Sequence, residues 1–150
     1  MELSPEEIDL IRTSYFRLSV DLKRAGNVFY EKLFEIAPET RSLFVQDMTV
    51  QAGKLMSTLG FVVSQLQNAE DLEPIVKDLA LRHLAYGVEK EHYFVVRQAL
   101  LEMLETVLHG SFSEKDLTAW GRAYDSLVEI MIDAAYPIDS LQDRRLANEL

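Results

Sequence analysis

The chain has 150 residues, 48% apolar and 27% charged, with 15 Lys and Arg against 25 Asp and Glu and a formal net charge of −10. That length and mixture fit about one globular domain with a sizeable core, and the acidic balance argues against a duplex-binding surface or a basic membrane-surface helix, both of which need excess cations. No cysteine is present, which excludes disulfides, thiolate nucleophiles and cysteine-ligated metal centres; no run approaches the ~20 apolar residues of a membrane span, and Met1-Glu2-Leu3-Ser4 lacks the basic and apolar parts of a signal peptide, so a cytoplasmic protein is expected.

The apolar periodicity is helical nearly throughout. Ser4-Pro5-Glu6-Glu7 reads as a helix start: a hydroxyl cap, proline at the first helical position and glutamate three residues after the cap. Ile8, Ile11, Tyr15 and Leu18 follow as an apolar stripe. A second helix runs from Leu22 to Ile36, with Gly26, Phe29, Tyr30, Leu33 and Phe34 along one side. Pro38 opens a short helical turn that ends near Phe44. A loop follows, and the third long helix starts near Thr49, with Gln51, Leu55, Thr58, Leu59 and Val62 sharing a face. The polar stretch 65–70 ends it.

The next helix turns Leu72, Val76, Leu79 and His83 inward, with Asp71 or Asp78 on its outer side and Gly87 placed as its C-cap. Residues 90–109 form another, with Tyr93, Val96, Leu100, Met103 and Val107 on one side and His109-Gly110 at its end. Ser113-Glu114-Lys115-Asp116 is a second capped start. The last long helix carries Leu117, Trp120, Tyr124, Leu127, Val128 and Met131 until Pro137 stops it, and residues 137–150, with Arg144 and Arg145, form a polar tail that is a short helix or a frayed end. With no strand pattern, repeat or linker, the expectation is an all-α single domain over 1–150 with its core in 4–136.

The sequence holds no phosphate-cradling glycine loop, no paired-histidine zinc motif and no EF-hand loop. Its three histidines are His83, His92 and His109. The last two stand at opposite ends of one helix and read as solvated or capping residues. His83 continues the Leu72, Val76, Leu79 stripe and points inward, where a cation is costly, so its imidazole is neutral and has a partner. It is either a hydrogen-bonded core histidine or a metal ligand whose other nitrogen donates to a helix carbonyl, with that of Leu79 one turn back. Tyr30, Gln51 and Phe44 each have a plain reading as core or edge residues. Together with His83 they describe apolar walls, an aromatic plate, two donors and one imidazole, the composition of a buried planar cofactor site with one open coordination position.

Phe29-Tyr30-Glu31-Lys32-Leu33-Phe34, Leu43-Phe44, Gln51, Arg82-His83-Leu84-Ala85-Tyr86-Gly87-Val88, His92-Tyr93 and Trp120-Gly121-Arg122-Ala123-Tyr124 stand in an order and spacing that covers most of the chain, about Ser4 to Tyr136. In these the sequence resembles single-domain bacterial globins of the flavohaemoglobin lineage. The resemblance implies a globin fold of seven to eight helices around haem b. It implies His83 as the proximal iron ligand, Phe44 stacked on the haem, and Tyr30, Gln51 and Leu55 on the distal side. It also implies Leu79, Val88 and Tyr93 around the cofactor, Arg82 within reach of a propionate, and Gly26 facing Ala52 where two long helices cross closely.

The activity so implied is reversible binding of dioxygen, carbon monoxide and nitric oxide, with Tyr30 and Gln51 donating to the gas; nitric oxide dioxygenation and gas sensing are the alternatives. Two departures bear on it. The family pattern's glutamate beside the proximal imidazole falls at Ala135, which implies a weaker electron push from the imidazole. The chain ends at Leu150 with no flavin or nicotinamide domain, so turnover is expected to need a separate reductase.

Overall fold

The structure, a computed structural model, describes residues 2–136; the expected tail 137–150, with Pro137, Arg144 and Arg145, lies outside the described residues. Six α-helices follow one another: α1 (Pro5–Leu18), α2 (Leu22–Ile36), α3 (Met48–Ser64), α4 (Ala69–Ala85), α5 (His92–Val107) and α6 (Glu114–Ala135), with 3-10 segments at Ser19–Asp21 and Pro38–Leu43. The described residues include no strand, and the all-α expectation of seven to eight helices is met by these six and two segments. No helix among the described residues is long and apolar enough to cross a membrane.

Helix ends follow local chemistry. The Ser4 hydroxyl accepts from the Glu7 N–H while the Glu7 carboxylate accepts from the Ser4 N–H, and Ser113 and Asp116 repeat the arrangement at α6. At the end of α4, Gly87 takes φ +93°. Its N–H donates to the Leu84 carbonyl at 3.1 Å and the Val88 N–H to the His83 carbonyl at 3.0 Å, the paired bonds of a Schellman cap. α3 starts one residue earlier than expected because Asp47 accepts from the Thr49 N–H at 2.8 Å. α5 is shorter at both ends than the expected 90–109. The Glu89 N–H donates to His92 Nδ1 at 2.9 Å, so a side chain meets that donor ahead of the helix, and Gly110, at φ +87°, follows the turn that closes it.

The apolar interior is divided. The larger cluster joins α1, α2, α3, α5 and the first half of α6 around residues such as Ile11, Leu18, Leu33, Met56, Met103 and Leu104. The smaller one joins α4, the start of α5 and the second half of α6 through Leu72, Val76, Ala80, Tyr93 and Met131. Val62 of α3 packs against both. α2 packs on α3 and α5, and α4 on α6, whereas α3 and α4, though consecutive, make no substantial contact with each other.

Two close approaches set the position of α3. A Cβ at Gly26 would stand 2.8 Å from the Cβ of Ala52 and 3.2 Å from its carbonyl oxygen, so α2 and α3 touch backbone to backbone at that crossing. On the other side, the Tyr15 hydroxyl of α1 donates to the Met56 carbonyl at 3.1 Å, lying over Gly60 in space that any side chain there would fill. Gly26→Val is expected to lower stability by about 1–3 kcal/mol through overpacking. Gly53→Ala, at a helical position with open space around it, is expected to leave stability unchanged or raise it by up to about 1 kcal/mol. Urea midpoints of the two variants check the contrast in sign.

Candidate functional site

α2 carries Tyr30 into the larger cluster, where it is 6% exposed. Its ring stands edge-on to Phe29 (centroids 4.9 Å apart) and to Phe44 (5.2 Å), and tilted against Phe34 (5.9 Å). Burial pushes its phenol above the usual tyrosine range, while hydrogen bonding with Gln51 draws it back. The α2–α3 crossing thus brings Tyr30 and Gln51 together. Gln51 and Leu55 stand one turn apart on α3, both half-buried, and Phe44 is half-buried just past the Pro38–Leu43 segment. The result is a protonated phenol and an amide, two neutral donors against apolar and aromatic walls.

α4 carries the second group. His83 is half-buried, and its Nδ1 lies 2.7 Å from the carbonyl oxygen of Leu79. A carbonyl can only accept, so Nδ1 bears the proton and donates, and in the neutral ring Nε2 presents a lone pair. Leu79 and Val88 belong to the rim of the smaller cluster. Arg82 is exposed, its Nε 3.1 Å from Asp78 one turn back, the pairing open to an Asp and an Arg four residues apart on a helix. Tyr93 is buried in the same cluster, and burial first, then its neighbour Tyr136, pushes its phenol up to about 12. The other two histidines lie away from this chemistry. His92 accepts a backbone bond at the start of α5, and His109 is exposed beyond its end.

Two tyrosines hold this region by bonds that the sequence does not show, although Tyr124 itself lies on the apolar stripe of the last helix. The Tyr136 hydroxyl donates to the Val88 carbonyl at 3.1 Å, and the Tyr124 hydroxyl donates to the Tyr93 carbonyl. The available signal was that a tyrosine on an apolar stripe needs an acceptor; which acceptor it finds is a matter of tertiary packing. Ala135 packs against the smaller cluster, as does Val88.

The candidate residues therefore divide between the two apolar clusters. Tyr30, Phe44 and Leu55 belong to the larger, and Leu79, Val88 and Tyr93 to the smaller; α3 and α4, which carry Leu55 and Leu79, make no substantial contact with each other. A profile of the globin family matches residues 27–131. The chain belongs to the globin family. This globin is 31% identical over 130 residues to an uncharacterized globin-like protein of Aquifex aeolicus, an overlap of 87% of the chain and 92% of that protein. It is 29% identical over 106 residues to a flavohemoprotein of Rhizobium meliloti, covering 69% of this globin and spanning about a quarter, 26%, of that relative. Among solved structures, an engineered carbene transferase, described as a candidate nitric oxide dioxygenase from Rhodothermus marinus, superposes with a TM-score of 0.81 at 29% identity, over 95% of this globin and 99% of that chain.

The buried phenols make the stability of this globin sensitive to alkali. In the folded chain Tyr93 and Tyr124 are held protonated above their ordinary range, Tyr124 likewise by burial first. Unfolding frees them to ionise near pH 10. Stability is therefore undiminished below about pH 10 and falls as pH rises from there toward the folded value of about 12 for Tyr93. Urea midpoints measured from about pH 8 to about pH 11 are expected to stay level and then drop, with Tyr93→Phe making the drop shallower.

Proposed function

We propose that this globin is a haem protein that binds dioxygen and other diatomic gases, carbon monoxide and nitric oxide among them, reversibly. The observation that carries the reading is the bond from His83 Nδ1 to the Leu79 carbonyl, because it selects the tautomer in which Nε2 can ligate a metal. The described residues contain no group of three His, Cys, Asp or Glu able to hold an ion, so His83 suits a metal that brings its other ligands with it. A flat, largely apolar body suits the division between the α3 and α4 sides, with Phe44 and Leu55 on one and Leu79 and Val88 on the other. These residues fit a haem b.

When bound, haem would supply an iron able to bind diatomic gases, and His83 would hold it. The chain's own groups then do the rest. Tyr30 keeps its proton, since burial opposes the phenolate, and donates through its hydroxyl to the gas. Gln51 donates through its amide, and the dry surroundings strengthen both bonds. Phe44 would pack against the ring. Arg82 would meet a propionate by sharing or exchanging its bond to Asp78. Relatives named flavohemoprotein and leghemoglobin support the cofactor.

A second reading, nitric oxide dioxygenation with a separate reductase, is favoured by the description of the Rhodothermus marinus protein and by the flavohemoprotein relatives, of which this chain spans a quarter to a third. Ala135 weighs toward gas binding, because the proximal imidazole then lacks the carboxylate that would raise its basicity.

His83→Leu is expected to abolish haem uptake, seen as loss of the intense blue-edge absorption band. Tyr30→Phe is expected to retain haem and raise the oxygen dissociation rate about tenfold or more in stopped flow, the loss of one hydrogen bond of about 1–3 kcal/mol. Unaltered haem uptake in the first variant overturns the reading.

A further inference from the structure

The direction of the Tyr30 hydroxyl depends on how its ring is held, and three rings hold it. Phe29 and Phe44 meet it edge-on, at 83° and 78°. Phe34, one turn further along α2, meets it at 35°, closer to parallel than the other two, and so bears on the tilt of the ring. Phe34 also stands at 65° to Phe44 with centroids 5.9 Å apart, which closes a triangle of Tyr30, Phe34 and Phe44.

This triangle is pinned at its outer edge. The guanidinium carbon of Arg41 lies 5.2 Å from the centroid of Phe34, in cation–π contact. Arg41 sits in the Pro38–Leu43 segment, and its carbonyl accepts the Phe44 N–H at 3.1 Å. One exposed residue therefore grips Phe34 with its side chain and Phe44 with its backbone. A phenol oxygen stands at the far end of its ring, so a small change in ring tilt displaces it enough to weaken a hydrogen bond.

We propose that Phe34, clamped from outside by Arg41, is a positioning residue that aims the Tyr30 hydroxyl. The inference rests on the reading of Tyr30 as the donor to the gas. It extends control of gas retention to an exposed arginine on a 3-10 segment with no direct access to the ligand.

The test uses the full chain loaded with haem. Phe34→Leu is expected to raise the oxygen dissociation rate about threefold or more and to split the carbon monoxide stretching band, the sign of several phenol orientations. Arg41→Gln, a surface change, is expected to act in the same direction more weakly, and Arg41→Lys, which keeps the cation, to restore the original behaviour. The iron–histidine stretch, which reports on the His83 side, is expected to stay put in all three. In a Tyr30→Phe background, Phe34→Leu is expected to add nothing. An unchanged off-rate in Phe34→Leu, or an equal rise with and without the Tyr30 hydroxyl, overturns the proposal. If Tyr30→Phe by itself leaves the off-rate unaltered, the donor reading falls instead. NMR ring-flip rates of labelled Tyr30 then judge the clamp separately: faster flipping in Phe34→Leu and Arg41→Gln supports it, and unchanged flipping overturns it.

Discussion

A single hydrogen bond, 2.7 Å from His83 Nδ1 to the carbonyl of Leu79, decides what the imidazole can be. The acceptor belongs to the preceding turn of the same helix, so the bond exists only where α4 is intact up to His83. The residue is held from the other side as well, because its own carbonyl takes the Val88 N–H in the cap that ends the helix at Gly87. Ring tautomer, ring orientation and backbone position are thereby set before any ligand arrives, which spares a ligand the cost of ordering them.

α4 in turn owes its position to α6. Leu72, Val76 and Ala80 pack with Leu127 and Met131, and two tyrosine hydroxyls of the last helix and its end reach the backbone at Val88 and Tyr93, just beyond His83. The Tyr30 side is built differently. It depends on α2 and α3 crossing at Gly26 and Ala52 and on Tyr15 holding α3 against α1. One side is positioned by close backbone approach, the other by apolar packing with phenolic anchors.

What could be read from the sequence follows the range of the interaction. The caps at Ser4, Gly87 and Ser113 were legible because each is completed within a few residues. So was the Leu79 partner of His83, which lies one helical turn away. The gathering of Tyr30, Phe44 and Gln51 was legible as a composition, from polar atoms on faces that should be apolar, but its geometry was not. The approach of Gly26 to Ala52 came from family resemblance, since no local pattern says which helices cross at a given glycine. Tyr136 on Val88, Tyr124 on Tyr93 and Arg41 over Phe34 were not legible, because each depends on where another segment comes to rest. The start of α5 was misplaced for a local reason: the His92 side chain competes for a backbone donor, a use of histidine that periodicity does not reveal.

The split of the interior into two clusters has a corollary for substitutions. Changes among Phe29, Phe34, Phe44 and Leu55 alter one neighbourhood, and changes among Leu72, Val76, Leu127 and Met131 alter another, with Val62 as a shared member. A substitution on one flank is felt first within its own cluster and reaches the other through what both share, Val62 and the long helices α5 and α6.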